Sequence, residues 1–105
     1  MKKFDKDDVE KIYAKAKKLH DEGKYEDALA ILHDMQIDNL PMEKRWAFYE
    51  AKGMCQIGID KIREGVENLR NALFSPEGMP LLSQRRIASN YFINLHYIDG
   101  ISDKD

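Results

Sequence analysis

The chain has 105 residues, of which 43% are hydrophobic and 34% charged, and its formal net charge is −2. This composition is typical of a folded globular protein with one domain and its own core. The small net charge and a pI of about 5.9 argue against a dedicated nucleic-acid binder. The apolar runs are too short for a membrane-spanning segment or a signal peptide, so we expect a cytoplasmic protein that does not insert into membranes.

Apolar residues recur at helical spacing along the chain, and no strand-like alternation persists. The expected fold class is therefore all-α, with about five antiparallel helices. The predicted helices cover residues 8–22, 25–36, 41–58, 60–74 and 80–98. Gly23 is expected to end the first helix and Asp99-Gly100 the last, and residues 101–105 are expected to fray.

The third predicted helix is apolar on two sides. One side carries Met42, Trp46, Tyr49, Gly53 and Ile57, and the opposite side carries Phe48, Cys55 and Ile59. A helix that is apolar on two sides is covered on two sides, which places it in the centre of the bundle. The core stripe of the fifth helix is expected to contain Ile87, Tyr91, Leu95 and Ile98, together with Ala88 and Phe92.

A shift of the chain by 37 residues aligns similar residue types in the first two helix pairs. Ala16 falls on Gly53, and Ala28 falls on Gly65. Small residues at these positions would let the two helices of each pair approach closely. The pattern therefore indicates an internal repeat of a helix hairpin.

Residues 23–35, with the sequence GKYEDALAILHDM, resemble the second half of a tetratricopeptide repeat (TPR). In that family a Gly–x–Tyr turn precedes a helix with Ala three residues beyond the Tyr. The resemblance implies a single TPR-like domain over 1–105, with repeats at 8–41 and 45–78 and a capping helix at 80–98. The second repeat departs from the pattern, because Asp60, Ile62 and Gly65 replace the Gly, Tyr and Ala. The alternative is an ordinary helical bundle with an accidental period.

No catalytic or metal-binding pattern stands out in the sequence. His20, His33 and His96 are scattered over three predicted helices, and the acidic residues have no metal-loop spacing. The single cysteine, Cys55, excludes an internal disulfide and is expected to be a buried, inert thiol. We therefore expect a protein that is not an enzyme and that needs no metal or cofactor.

Asn90 and Asn94 lie one helical turn apart at the border of the apolar stripe of the fifth helix, and Tyr97 continues this border. An Asn amide both donates and accepts hydrogen bonds, which suits the backbone of a bound peptide. The alternative is that both asparagines face solvent. In TPR-like proteins the first helices of the pairs line a peptide-binding groove, and the resemblance implies that Tyr13, Lys17 and Met54 contribute to it.

These observations predict a small interaction module that binds a peptide or a helix of a partner protein. A stack this short leaves a large end surface, which predicts a homodimer or docking on a larger partner. The clamp that some family members use for C-terminal carboxylates is not reproduced, because Ala51 stands where its Asn would be expected. Two bacterial alternatives remain, a bacteriocin-immunity-type helical bundle and a fragment of a peptide-pheromone-sensing regulator.

Overall fold

The computed structural model describes residues 6–35 and 37–102, and these residues form α-helices without any β-strand. The helices are α1 (Lys6–Asp21), α2 (Tyr25–Asp34), α3 (Met42–Gly58), α4 (Ile62–Leu73) and α5 (Leu81–Ser102), with a short 3-10 helix at Ile37–Asn39. The prediction of an all-α fold with five helices is confirmed. Among the described helices, none combines the length and the apolar character that crossing a membrane requires.

The predicted end of the fifth helix is wrong. Asp99-Gly100 does not terminate α5, which continues to Ser102. A glycine inside a helix costs only about 1 kcal/mol, and no proline follows to enforce a stop. The last three residues of the predicted frayed tail, 103–105, lie outside the described part of the chain.

Helix α3 lies between two clusters of buried side chains, as its two apolar sides predict. The first cluster joins α1, α2 and one side of α3, and it contains Ala16, Ala28, Leu29, Leu32, Met35, Leu40, Phe48, Ala51 and Cys55. The second joins the other side of α3 to α4 and α5 through Leu69, Ala72 and Ile87, against which Trp46 and Ile57 pack. The central position of α3 therefore follows from the sequence pattern.

Three residues are less buried than the sequence indicates. Phe92 is 63% exposed and does not belong to the core stripe of α5, because it lies about 140° around the helix from the buried Ile87. Met42 is exposed at the start of α3. Trp46 is only half-buried, yet its indole Nε1 is shielded from solvent and makes no hydrogen bond with the described residues.

The backbones of α3 and α4 touch at two glycines. A Cβ atom on Gly53 would lie 2.8 Å from the carbonyl oxygen of Gly65, and a Cβ on Gly65 would lie 2.7 Å from that of Gly53. The positions that precede them by 37 residues, Ala16 and Ala28, are both buried in the first cluster. Small side chains are therefore buried at corresponding positions of both hairpins.

The turns between the paired helices repeat the same backbone geometry 37 residues apart. Gly23 has φ 80° in the first turn and Asp60 has φ 69° in the second. The next residues, Lys24 and Lys61, have φ/ψ of −89°/67° and −94°/67°. In each case the lysine N–H donates to the carbonyl oxygen five residues earlier at 2.8 Å. The two turns thus share one backbone geometry at the same 37-residue spacing that the residue types show.

We predict that Gly53→Ala destabilises the protein although alanine is the better helix former. The added Cβ meets the backbone of α4, so the helices must separate, which should lower the free energy of unfolding by about 1–3 kcal/mol. Urea unfolding followed by circular dichroism measures this change. Glu67→Ala on the exposed side of α4 is the control, and an equally stable Gly53→Ala variant would contradict the close contact.

We predict opposite effects for substitutions at the two equivalent turn positions. Asp60→Gly should raise the free energy of unfolding by about 0.5–1 kcal/mol, because it removes the steric cost of a positive φ. Gly23→Ala should lower the free energy of unfolding by about 1 kcal/mol. The cause is the positive φ alone, since a Cβ there has no neighbour within 4 Å. The same unfolding measurement compares the two variants. Changes of the same sign would show that the turns are not equivalent.

Candidate functional site

A groove of about 410 Å³ lies between α1, α3 and α5, and we call it the three-helix groove. Its lining residues are Tyr13, Lys17 and His20 from α1, Glu50, Ala51 and Met54 from α3, and Arg86 and Asn90 from α5. The three helices are every second helix of the chain. The groove therefore brings together residues that are separated by more than 70 positions in the sequence.

Four of the six residues predicted from the sequence line this groove: Tyr13, Lys17, Met54 and Asn90. They come from all three helices, as the predicted arrangement requires. The positions of these side chains are consistent with the expected groove, while their part in binding stays a prediction.

The other two predicted residues, Asn94 and Tyr97, do not line the three-helix groove. The Asn94 side chain donates a hydrogen bond of 2.7 Å to the backbone carbonyl of Asn90 within α5. Tyr97 borders a different cleft of about 490 Å³, between residues 60–64 and the end of α5. Although this cleft is larger, only two helix ends border it, and we regard the three-helix groove as the better candidate.

An ion pair between Glu50 and Arg86 crosses from α3 to α5 at the groove. The Arg86 guanidinium donates two hydrogen bonds to the carboxylate, from Nε at 2.7 Å and from the terminal nitrogen at 2.8 Å. The Glu50 side chain is mostly buried, and its hydrogen bonds raise the pKa of Arg86. These two residues were not identified as a pair from the sequence. Their separation of 36 residues, close to the repeat length, is the signal that identifies it.

Tyr13 joins α1 to α3 through its hydroxyl group. The hydroxyl donates to the carbonyl oxygen of Ala47 at 3.1 Å. Burial, and to a smaller extent the charge of Glu50, raises the pKa of Tyr13 to about 12, so the phenol is neutral at physiological pH. Tyr13 also lines a smaller cavity of about 230 Å³, together with Trp46. Tyr13 therefore lies between the three-helix groove and this cavity.

The residues with reactive side chains are dispersed in the described part of the chain. Cys55 is fully buried, as expected, and burial raises the pKa of its thiol to about 11, which keeps it protonated at neutral pH. The His20 ring packs edge-on against Tyr25, and its Nδ1 lies 3.2 Å from the carboxylate of Asp21. No group of three or more His, Cys, Asp and Glu side chains suited to a metal ion occurs among the described residues.

Comparisons of the chain with protein-family models, with characterised proteins and with solved structures give no match. The geometry of the three-helix groove is therefore the observation on which a function can be proposed.

We predict that Tyr13 contributes to the loss of stability at alkaline pH. Its pKa is about 12 in the folded protein and 10.0 as a reference, so the unfolded chain loses the phenol proton first and stability falls as pH rises from about 10 to 12. In Tyr13→Phe the free energy of unfolding should fall less steeply with pH, by the equivalent of up to one bound proton. The variant should also be less stable at pH 7, because it lacks the hydrogen bond to Ala47. Urea unfolding across this pH range measures the difference. Identical slopes for the two proteins would contradict the assignment.

Proposed function

We propose that this chain is a non-enzymatic TPR-like interaction module, which acts in the cytoplasm and binds a segment of a partner protein in the three-helix groove. The observation that carries the proposal is that α1, α3 and α5 together line one groove with polar and apolar side chains. In a TPR-like stack the first helices of successive hairpins have this relation. The repeated turn geometry, 37 residues apart, also supports a repeat architecture.

The side chains of the groove suit a peptide better than a small metabolite. Met54 and Ala51 provide apolar contact, and the flexible Met54 side chain can adapt to different ligand shapes. Lys17 and the ion pair of Glu50 with Arg86 add charge at the same groove. A peptide presents apolar side chains together with regularly spaced polar backbone groups, so it could contact both the apolar and the charged residues of the groove.

Asn90 is the residue that we propose to contact the peptide backbone. Its side-chain amide is half-buried in the groove and forms no hydrogen bond with a described residue, whereas Asn94 is engaged with the carbonyl of Asn90. An Asn amide can donate to a peptide C=O and accept from a peptide N–H. A second peptide-binding role for Asn94 is not proposed, because the hydrogen bond within α5 already accounts for its side chain.

We predict that Asn90→Ala weakens peptide binding about fivefold or more, while Asn94→Ala leaves it within twofold. Peptides selected on the wild-type protein from a random displayed library serve as ligands, and calorimetry gives their Kd for each variant. A groove hydrogen bond that is lost costs about 1–3 kcal/mol, and 1.4 kcal/mol corresponds to a factor of ten.

The two asparagine variants form a matched pair, since they differ by one helical turn in the same helix. Thermal unfolding of each free variant checks that neither change disrupts the fold. Failure to select any peptide on the wild-type protein would contradict the proposed function. Equal affinities of the wild type and Asn90→Ala would show that peptides bind on another surface.

A further inference from the structure

Helix α5 exposes a second apolar surface on the side opposite the buried Ile87. We call it the α5 outer face, and it consists of Leu81, Leu82, Arg85, Ser89, Phe92 and Ile93. Its four large apolar residues are between 60% and 76% exposed. They lie on one long helix, so the exposed surface is continuous rather than scattered. Apolar patches of several hundred Å² on a folded protein commonly mark an interaction site.

Helix α3 shows how a helix that is apolar on two sides is covered in this protein. Both α3 and α5 carry large apolar residues on opposite sides. In α3, one side is covered by α1 and α2 and the other by α4. In α5, the side of Ile87 is covered by α4, and the outer face has no covering element in the described chain. By analogy with α3, the outer face of α5 is the kind of surface that a further helix covers.

We propose that the α5 outer face is the interface of a homodimer, in which α5 of one copy packs antiparallel against α5 of the second copy. The size of the surface fits this occupant. The four large apolar side chains supply roughly 300–400 Å² in all, about half of the ~800 Å² per partner of a standard interface, and the polar side chains between and beside them supply the rest. The 22 residues of α5 span about 33 Å, which is long enough for such a contact.

The order of residues along α5 is self-complementary about position 87, midway between Leu81 and Ile93, as an interface with two-fold symmetry requires. Antiparallel pairing centred there places Leu81 opposite Ile93 of the other copy and Leu82 opposite Phe92. It also places each Arg85 opposite Ser89 of the other copy, where the small serine leaves room for the arginine stem.

Among the residues of the outer face, only Arg85 is charged. In the proposed register the two copies of Arg85 are offset by four residues along the helices, which is about 6 Å. Their long side chains can extend to opposite edges of the contact, where solvent and salt screen the repulsion. The small Ser89 opposite each Arg85 allows the two helices to approach closely.

Sedimentation equilibrium of the full chain tests the proposal. Interfaces of this size have Kd values that range from micromolar to picomolar. The wild type should therefore be a dimer at concentrations well above micromolar. The variant Leu82→Lys, Ile93→Lys should be a monomer that retains its helical circular dichroism. The control Ala14→Lys, Ala30→Lys adds the same charge at exposed positions of α1 and α2 and should remain a dimer. A monomeric wild type, or a dimer that survives the double change in α5, would overturn the proposal.

Cysteine cross-linking tests the register. An equimolar mixture of Arg85→Cys and Ser89→Cys should form a disulfide-linked heterodimer with oxidised glutathione as the oxidant, because the two positions face each other. Leu81→Cys alone should not be linked, because its counterpart is about 18 Å away along the helices. The native Cys55 is buried and provides no background. Linkage of Leu81→Cys alone, or no linkage in the mixture, would overturn the register. Because Asn90 does not belong to the α5 outer face, Asn90→Ala should leave the dimer intact, so this proposal and the proposed function can fail independently.

Discussion

The direct contact between the backbones of α3 and α4 at Gly53 and Gly65 is the constraint on which the rest of the structure depends. Because no side chain separates the two helices there, α4 lies close against one side of α3. The opposite side of α3 is then free to pack on α1 and α2, and α4 can support α5 through Leu69 and Ala72. The central helix thus contacts both halves of the core, and the two glycines set how closely α4 approaches it.

This arrangement also explains why α1, α3 and α5 share a groove. Helices α2 and α4 pack on α3 without lining the groove, whose walls come from α1, α3 and α5. Tyr13 links α1 to α3 by a hydrogen bond, and Glu50 links α3 to α5 by an ion pair with Arg86. These two interactions connect neighbouring walls of the groove. They hold the groove in shape, which would lower the entropic cost of binding the peptide proposed above.

The sequence alone predicts the helices and the two-sided character of α3, because apolar periodicity reports burial directly. It also predicts four residues that line the groove: Asn90 from its place at the border of the α5 stripe, and Tyr13, Lys17 and Met54 from the resemblance to TPR proteins. The exposure of Phe92 was in reach of the sequence, because five residues from Ile87 place it about 140° around the helix and therefore off the core stripe. The sequence does not predict the bond of Asn94 to α5, because a polar side chain beside a groove can equally well bond to its own helix. That bond is a rotameric choice, which residue spacing does not encode.

The position of Trp46 gives the protein a natural optical reporter. It is the single tryptophan of the chain, and it shares a cavity with Tyr13, whose ring also borders the groove. Its indole nitrogen is shielded from solvent without a hydrogen bond among the described residues. The emission spectrum of such an indole responds to small changes in local polarity. A ligand that displaces Tyr13 would therefore change the fluorescence of the unlabelled protein, and the occupancy of the groove could be followed in real time without any added dye.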